Sequence, residues 1–243
     1  MWRDRCCDAV VTGQYPSGES AGHPFRDLGF VRLPPEESLR RSHAFLEAMS
    51  TRRSVRHFSS ESIPRQAVEN ALRVAASAPS GAHLQPWTFV VVEDDATKQK
   101  LRAAAEAEER EFYAQRATPE WLAALAPLGT DDIKEHLTTA PCVIVMFRHR
   151  WEPLLGGARR KNYYSAESCG IAAGFLIAAL HHAGLATLPH TPAPMGFLAE
   201  LLHRPANEQA FLVLPVGYPR PDARVPDIQR RPLEDVMVWH QPE

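Results

Sequence analysis

Apolar positions along this chain follow two different periods. Val68, Ala71, Leu72, Ala75 and Ala76 keep the i, i+3, i+4 spacing that gathers side chains on one helical face. Ser62-Ile63-Pro64 precedes them, with a proline early in the helix, and the helix is expected to end near Ala78-Pro79. Trp87 to Val92 is instead a β-branched and aromatic run bounded by Pro86 and Glu93-Asp94-Asp95, the pattern of a buried strand. Cys142 to Phe147 and Phe211 to Val216 predict two more strands, the last after a short helix near Phe197 to Leu202.

The remaining segments complete the picture. Pro34-Pro35 and Glu36-Glu37 introduce a helix through about Met49, with Leu39, Phe45 and Leu46 as its expected core contacts. Residues 96 to about 115 predict a largely solvated helix with a thin apolar stripe. From Thr118 to Thr130 the period is lost among Pro119, Pro127 and Gly129, so a lid is expected over about 105–135. Ser165 to Ala183, closed by Gly184, is apolar nearly all round, which places it at the centre of the domain or in a subunit interface. The stretch from Pro219 reads as an extended arm. Strands alternate with helices but few are contiguous, giving an α+β class. We expect one domain over 25–238, with tails at 1–24 and 239–243.

Composition narrows the function classes. The 243 residues are 44% apolar, enough for a full core, and the net charge of -2 argues against a nucleic-acid or anionic-membrane partner. Cys6, Cys7, Cys142 and Cys169 lack metal-ligand spacing, and two of them sit in apolar runs, as buried thiols in a reducing compartment would. No apolar run approaches the roughly 20 residues needed to cross a bilayer, and no secretory signal is visible, so a soluble cytoplasmic protein is expected.

Chemistry concentrates in a few places. Arg52-Arg53-Ser54-Val55-Arg56 puts three guanidinium groups within five residues, either a solvated basic patch or a site for a phosphate or paired carboxylates. Pro79-Ser80-Gly81-Ala82-His83 is either an ordinary helix-to-strand loop or a turn whose Gly81 lets a planar ligand approach and whose Ala82 amide donates to an oxyanion. P-loop, GxGxxG, HExxH and GxSxG motifs are absent, which disfavours conventional hydrolysis.

Together with Gln85-Pro86-Trp87 and Pro215-Val216-Gly217-Tyr218-Pro219, these motifs resemble the flavin-dependent nitroreductase superfamily, and within it the iodotyrosine deiodinase family, over nearly the whole chain from about Pro24 to Val238. The resemblance implies a nitroreductase-like fold, a mostly antiparallel central sheet flanked by helices, and an obligate, domain-swapped homodimer binding FMN at the subunit interface. It implies cofactor contacts from Arg52, Arg53, Ser54, Val55, Arg56, Pro189, His190, Thr191 and Arg231, with Ser80 and Gly81 supplied by the other subunit. Thr191 matches the hydroxyl that bonds flavin N5 and so carries the catalytic role, favouring stepwise electron transfer over hydride transfer; on local sequence alone it equally caps the Pro192 turn. Pro189 and His190 depart from the vertebrate pattern, which has hydroxyl residues there, and His190 is a candidate proton donor. Without a segment resembling the membrane anchor of the vertebrate enzymes, the chain is expected to be similar to the soluble bacterial relatives.

Glu109 and Tyr113, four apart on one helical face, and Lys134 beyond the lid match the family's substrate triad, although local sequence alone reads them as solvated surface groups. A carboxylate, a phenol and an ammonium complement a zwitterion, and the Ala82 amide is expected to meet a phenolate. The expected activity is FMN-dependent reductive dehalogenation of 3-halotyrosines, with an electron donor the sequence does not identify. Alternatives are a nitroreductase or quinone reductase of the same superfamily and a non-catalytic flavin- or halotyrosine-binding protein.

Overall fold

Three of the expected apolar runs meet in one antiparallel sheet, and their alternation explains its two buried faces. The computed structural model describes residues 28–240; the tail expected at 1–24 and residues 241–243 lie outside them. The described residues divide into two units between Ser42 and His43. Helix α1 (Pro35–Ser50) spans the division, and the sheet and every later helix belong to the second unit.

In chain order the elements are α1, α2 (Arg65–Ala76), β1 (Trp87–Val92), α3 (Asp95–Glu111), α4 (Pro119–Leu125), α5 (His136–Thr139), β2 (Cys142–His149), β3 (Trp151–Pro153), β4 (Arg159–Lys161), α6 (Ser165–His182), β5 (Ala186–Thr187), α7 (Gly196–Leu201) and β6 (Glu208–Gly217). The main sheet runs β1-β2-β6-β5 with every pairing antiparallel, and β3 and β4 form a separate hairpin.

Successive strand side chains point to opposite faces, so β2 serves two cores. Cys142, Ile144 and Met146 pack with Val68, Ala71 and Ala75 of α2 and Cys169, Ala172, Leu176 and Leu180 of α6. Val143, Val145 and Phe147 pack with Leu101 and Ala105 of α3, Leu137 of α5 and Leu198 of α7. A strand covered on both sides needs no polar alternation, hence the unbroken apolar run.

Three expectations change. Leu39, Phe45 and Leu46 are exposed and α1 buries no residue, so these are not core contacts. Of the two places expected for α6, the centre of the domain does not hold: within the single chain Ile171 and Phe175 are exposed, and Gly170 and Gly174 lie on the same open side. The segment expected to be irregular contains α4, because Thr118 caps it by accepting from the Trp121 amide (3.3 Å) and Pro119 stands at the helix start, where its missing N–H costs nothing. The two-residue β5 and the β3–β4 hairpin are too short to read from a period. No helix among the described residues is long and apolar enough to cross a membrane.

Candidate active site

Two pieces of backbone wall the site, each held by strand-like bonds. Ser54 bridges Thr187, and the Val55 amide donates to the Thr187 carbonyl (3.1 Å), laying the arginine segment alongside β5. Just beyond β5, His190 and Val213 exchange both main-chain bonds at 2.9 Å, so Leu188 to Thr191 are carried on the sheet. Opposite stand the end of α3, one π turn at Phe112–Arg116, and α4. The Phe112 ring meets Tyr113 and Trp121 edge-on at 5.3 and 4.7 Å, fastening α4 to that turn.

The cavity between them, about 360 Å³, is lined by Arg56, Glu109, Tyr113, Lys134, Pro189, His190 and Thr191 of the expected site. Phe112, Trp121, Leu125, Leu128, Thr130, His136, Leu188 and Ala193 complete the lining and were not expected. Trp121 and Leu125 share a face of α4 and are hidden when Pro119 is read as a breaker; His136, two residues after Lys134, carries no sequence signal.

At the heart of the cavity Lys134 Nζ lies 3.2 Å from Glu109 Oε2, with side chains only 3% and 14% exposed. Lys134 Nζ also donates to the Asp131 carbonyl, and its amide to Glu106 Oε1 (2.9 Å). His190 Nε2 is 3.3 Å from the other Glu109 oxygen, and the Tyr113 hydroxyl donates to the Thr130 carbonyl (3.3 Å). Burial pushes the Glu109 carboxyl up, but the His190 hydrogen bond and the Lys134 charge outweigh it and hold it below the usual carboxylate range. Burial raises the Tyr113 phenol. Burial, aided by His190 and Lys134, drives His136 down to about 3.

A second cleft of about 360 Å³, beside the first, is lined by Arg52, Arg53, Ser54, Arg56, Leu188, Pro189, Pro226, Gln229 and Arg230. Arg53 donates to the Pro226 carbonyl, and Arg230 braces the segment through the carbonyls of Ser50 (3.0 Å) and Arg52 (2.6 Å). Arg231 is exposed and donates to the Asp235 carbonyl (2.7 Å). Arg56 is half-buried, and burial lowers it from the usual arginine range. Among the described residues none of Arg52, Arg53 or Arg56 has a carboxylate partner, so the cleft suits a phosphate.

Ser80, Gly81 and Ala82 line neither cavity. Their turn is tightly built. A Cβ on Gly81 would sit 2.7 Å from the Tyr163 carbonyl oxygen, while the Gly81 amide donates to Ser168 Oγ (3.2 Å). Ala82, at φ 49°, is exposed in the left-handed region, which costs a non-glycine residue about 1 kcal/mol.

This fold and site define a class: the chain belongs to the nitroreductase family, whose description matches residues 49–218. Within that family it is similar to iodotyrosine deiodinase of Haliscomenobacter hydrossis, 53% identical over 208 residues that cover 86% of this chain and 94% of that one. Human iodotyrosine deiodinase 1 is 45% identical over 206 residues, covering 84% and 71%. The crystal structure of oxidized iodotyrosine deiodinase bound to FMN and 3-iodo-L-tyrosine superposes with a TM-score of 0.69 at 30% identity, covering 82% of this chain and all of that one.

Proposed function

We propose that this protein is an FMN-dependent reductive dehalogenase of 3-halotyrosines, forming tyrosine and halide. The observation that carries the reading is the gathering of Glu109, Tyr113 and Lys134 over a cavity that Arg56 and Thr191 also line. Entry of the amino acid would open the Glu109–Lys134 pair, with the ammonium group taking the carboxylate and the α-carboxylate taking Lys134. Both contacts are charge-assisted and strengthen as α4 excludes water. The relatives that bear the deiodinase name, and the solved complex with 3-iodo-L-tyrosine, support this substrate class.

Arg52, Arg53, Ser54 and Arg56 would hold the phosphate of FMN, with Arg231 a further ligand after a side-chain turn and Val55, Pro189, His190 and Thr191 at its ring system. Bound in reduced form, FMN supplies the two electrons. In the overall change a carbon–iodine bond breaks, a carbon–hydrogen bond forms from one proton, and iodide leaves with the bonding pair. Thr191 Oγ1 would present its hydroxyl to flavin N5, and segment 105–135 would act as the lid.

Two features of the single chain support a homodimer. Ser80, Gly81 and Ala82 stand apart from both cavities, and α6 leaves Ile171 and Phe175 uncovered; a second copy would cover that face and deliver the turn to the partner's flavin.

Anaerobic mixing of the dithionite-reduced holoprotein with 3-iodotyrosine tests the reading. We expect flavin reoxidation with one iodide released per flavin. A flavin that stays reduced beside unaltered iodotyrosine while reducing a nitroaromatic would instead assign a nitroreductase.

A further inference from the structure

We propose that His190 is a positioning residue for substrate recognition, holding Glu109 by one carboxylate oxygen so that the other is free to exchange Lys134 for the α-ammonium group of the substrate. The inference rests on the halotyrosine reading above and deepens it.

The two oxygens of Glu109 have different partners on different parts of the fold. Oε1 faces His190 Nε2 at 3.3 Å, and Oε2 faces Lys134 Nζ at 3.2 Å. His190 is fixed at its main chain, where it both donates to and accepts from Val213 of β6 at 2.9 Å. Its side chain is 11% exposed, so the ring has little room to turn. A carboxylate only accepts, so Nε2 carries a proton, and Nδ1 is buried without a partner among the described residues.

His136 completes the support. Its ring stands edge-on to His190 at 5.3 Å and 85°, and burial keeps it uncharged at neutral pH. It is a neutral buttress that sets the plane of the His190 ring without competing for Glu109. The other charged and titratable groups lining the cavity are Lys134, Arg56 and Tyr113. Of these only Lys134 bonds Glu109, through the oxygen that the substrate must take.

Oε1 is thus tied to the rigid sheet and Oε2 to a side chain at the far end of the lid segment. An incoming zwitterion satisfies Lys134 with its own carboxylate and frees Oε2, while His190 keeps the carboxylate of Glu109 from rotating away. Without that hold, Glu109 must be ordered at the moment of binding, and a buried acceptor loses its donor. Any loss at the flavin, beside which His190 would also stand, is common to both substrates and cancels in their ratio, whereas the loss of the hold on Glu109 falls on the amino-acid end of the ligand alone.

The test compares 3-iodotyrosine with 2-iodophenol, an aryl iodide without the amino-acid end, in the unaltered holoenzyme and in His190→Ala and His190→Gln. His190→Ala should lower the preference for iodotyrosine, taken as the ratio of the two kcat/KM values, about tenfold, mainly through KM. His190→Gln, whose amide N–H stands near the Nε2 position, should restore most of it. Calorimetric titration of the oxidised holoprotein with 3-iodotyrosine should give the same order without turnover. Equal losses for both substrates in the Ala variant, or a Gln variant as poor as Ala, would overturn the proposal. If the unaltered protein releases no iodide, the dehalogenation reading fails. Calorimetry still decides the role of His190 in that case, because zwitterion affinity unchanged in His190→Ala overturns it.

Discussion

Two polar clusters in this molecule draw on the same side-chain types and end in opposite states. In the first, Glu208 at the start of β6 accepts both arms of Arg204 (2.7 and 2.8 Å) and the Thr88 hydroxyl (2.9 Å). His149, its cross-strand partner in the β2–β6 register, reaches Glu208 through Nε2 (3.3 Å) and Glu152 through Nδ1 (2.9 Å). Both oxygens of Glu208 and both ring nitrogens of His149 are partnered within the fold, although Glu208 also lines a cleft of about 590 Å³. In the second cluster Glu109 also has a histidine and a cation, yet among the described residues His190 Nδ1 and His136 Nε2 are buried without partners, and a cavity stands alongside. A satisfied network fixes the ends of the central strands; an incompletely satisfied one beside a cavity is poised for something else to bind.

Substituting the carboxylate in each cluster separates the two roles. Glu109→Gln should lower kcat/KM for 3-iodotyrosine about 100-fold, roughly 2.7 kcal/mol of lost transition-state binding, since an amide cannot replace the charge that meets an ammonium. Its melting temperature should fall less than that of Glu208→Gln, because Lys134 keeps the Asp131 carbonyl and the pair faces a cavity. Glu208→Gln should do the reverse. Losing the bidentate Arg204 pair and leaving Thr88 and His149 mispaired costs about 3 kcal/mol, a fall in melting temperature of roughly 6–12 °C at this chain length, while turnover in the cold stays within about threefold. Parallel melting curves and steady-state rates on the two variants check both halves, and two variants with the same profile would erase the distinction.

The sequence reveals these clusters unequally, and physics explains why. Glu109, Tyr113 and Lys134 are legible because a short spacing on α3 and a particular set of charges match a known substrate triad, and the cavity does contain all three. The strands of the sheet are legible because burial on both faces writes an unbroken apolar run. His136 and the Glu208 network are not, since their partners come from distant segments: Thr88 lies 120 residues from Glu208, and His149 meets it only through strand register. Helix α4 escapes a reading of breakers for a local reason, its proline being at the start of a helix and not inside one. The apolar character of α6 is plain in the sequence and its location is not, because periodicity cannot say whether a face is covered by the same chain.

Acid exposes the same contrast more gently. His136 is held near 3 by burial, against an ordinary 6.5. Between those values the unfolded chain binds the extra proton, so this group's contribution to stability is whole above 6.5 and is lost as pH falls towards 3, with a limiting slope of about 1.4 kcal/mol per pH unit. Glu208 also titrates low, since the bonds from Arg204 and Thr88 outweigh its burial, so its contribution persists until the pH drops below the ordinary 4.5. From about pH 5 to 6.5, His136→Phe should therefore flatten the dependence of the urea midpoint on pH. Glu208→Gln should leave that slope in place while lowering the whole curve. A His136→Phe slope equal to that of the unaltered protein would mean that another group accounts for the acid loss.

The smallest effect isolates the lysines. Lys98 and Lys134 are 4% and 2% exposed, and neither burial nor charge distinguishes them. Their partners do. Lys98 Nζ donates to the Ala140 carbonyl (3.1 Å) at the end of α5 and pairs with Asp95 (3.0 Å), whose side chain is exposed. Lys134 spends its charge on a carboxylate that faces a cavity. Lys98→Met keeps the aliphatic stem and removes only the ammonium, so it should cost about 1–2 kcal/mol of stability by leaving the α5 carbonyl without its donor. Its KM for 3-iodotyrosine should match that of the unaltered enzyme within about twofold, because the Lys98 ammonium faces the Thr138 and Ala140 carbonyls and does not line the cavity. A larger shift in KM, measured where the variant is fully folded, would show that α5 transmits strain to the His136–His190 contact, and the line between the satisfied and the poised parts of the molecule would have to be drawn one helix further out.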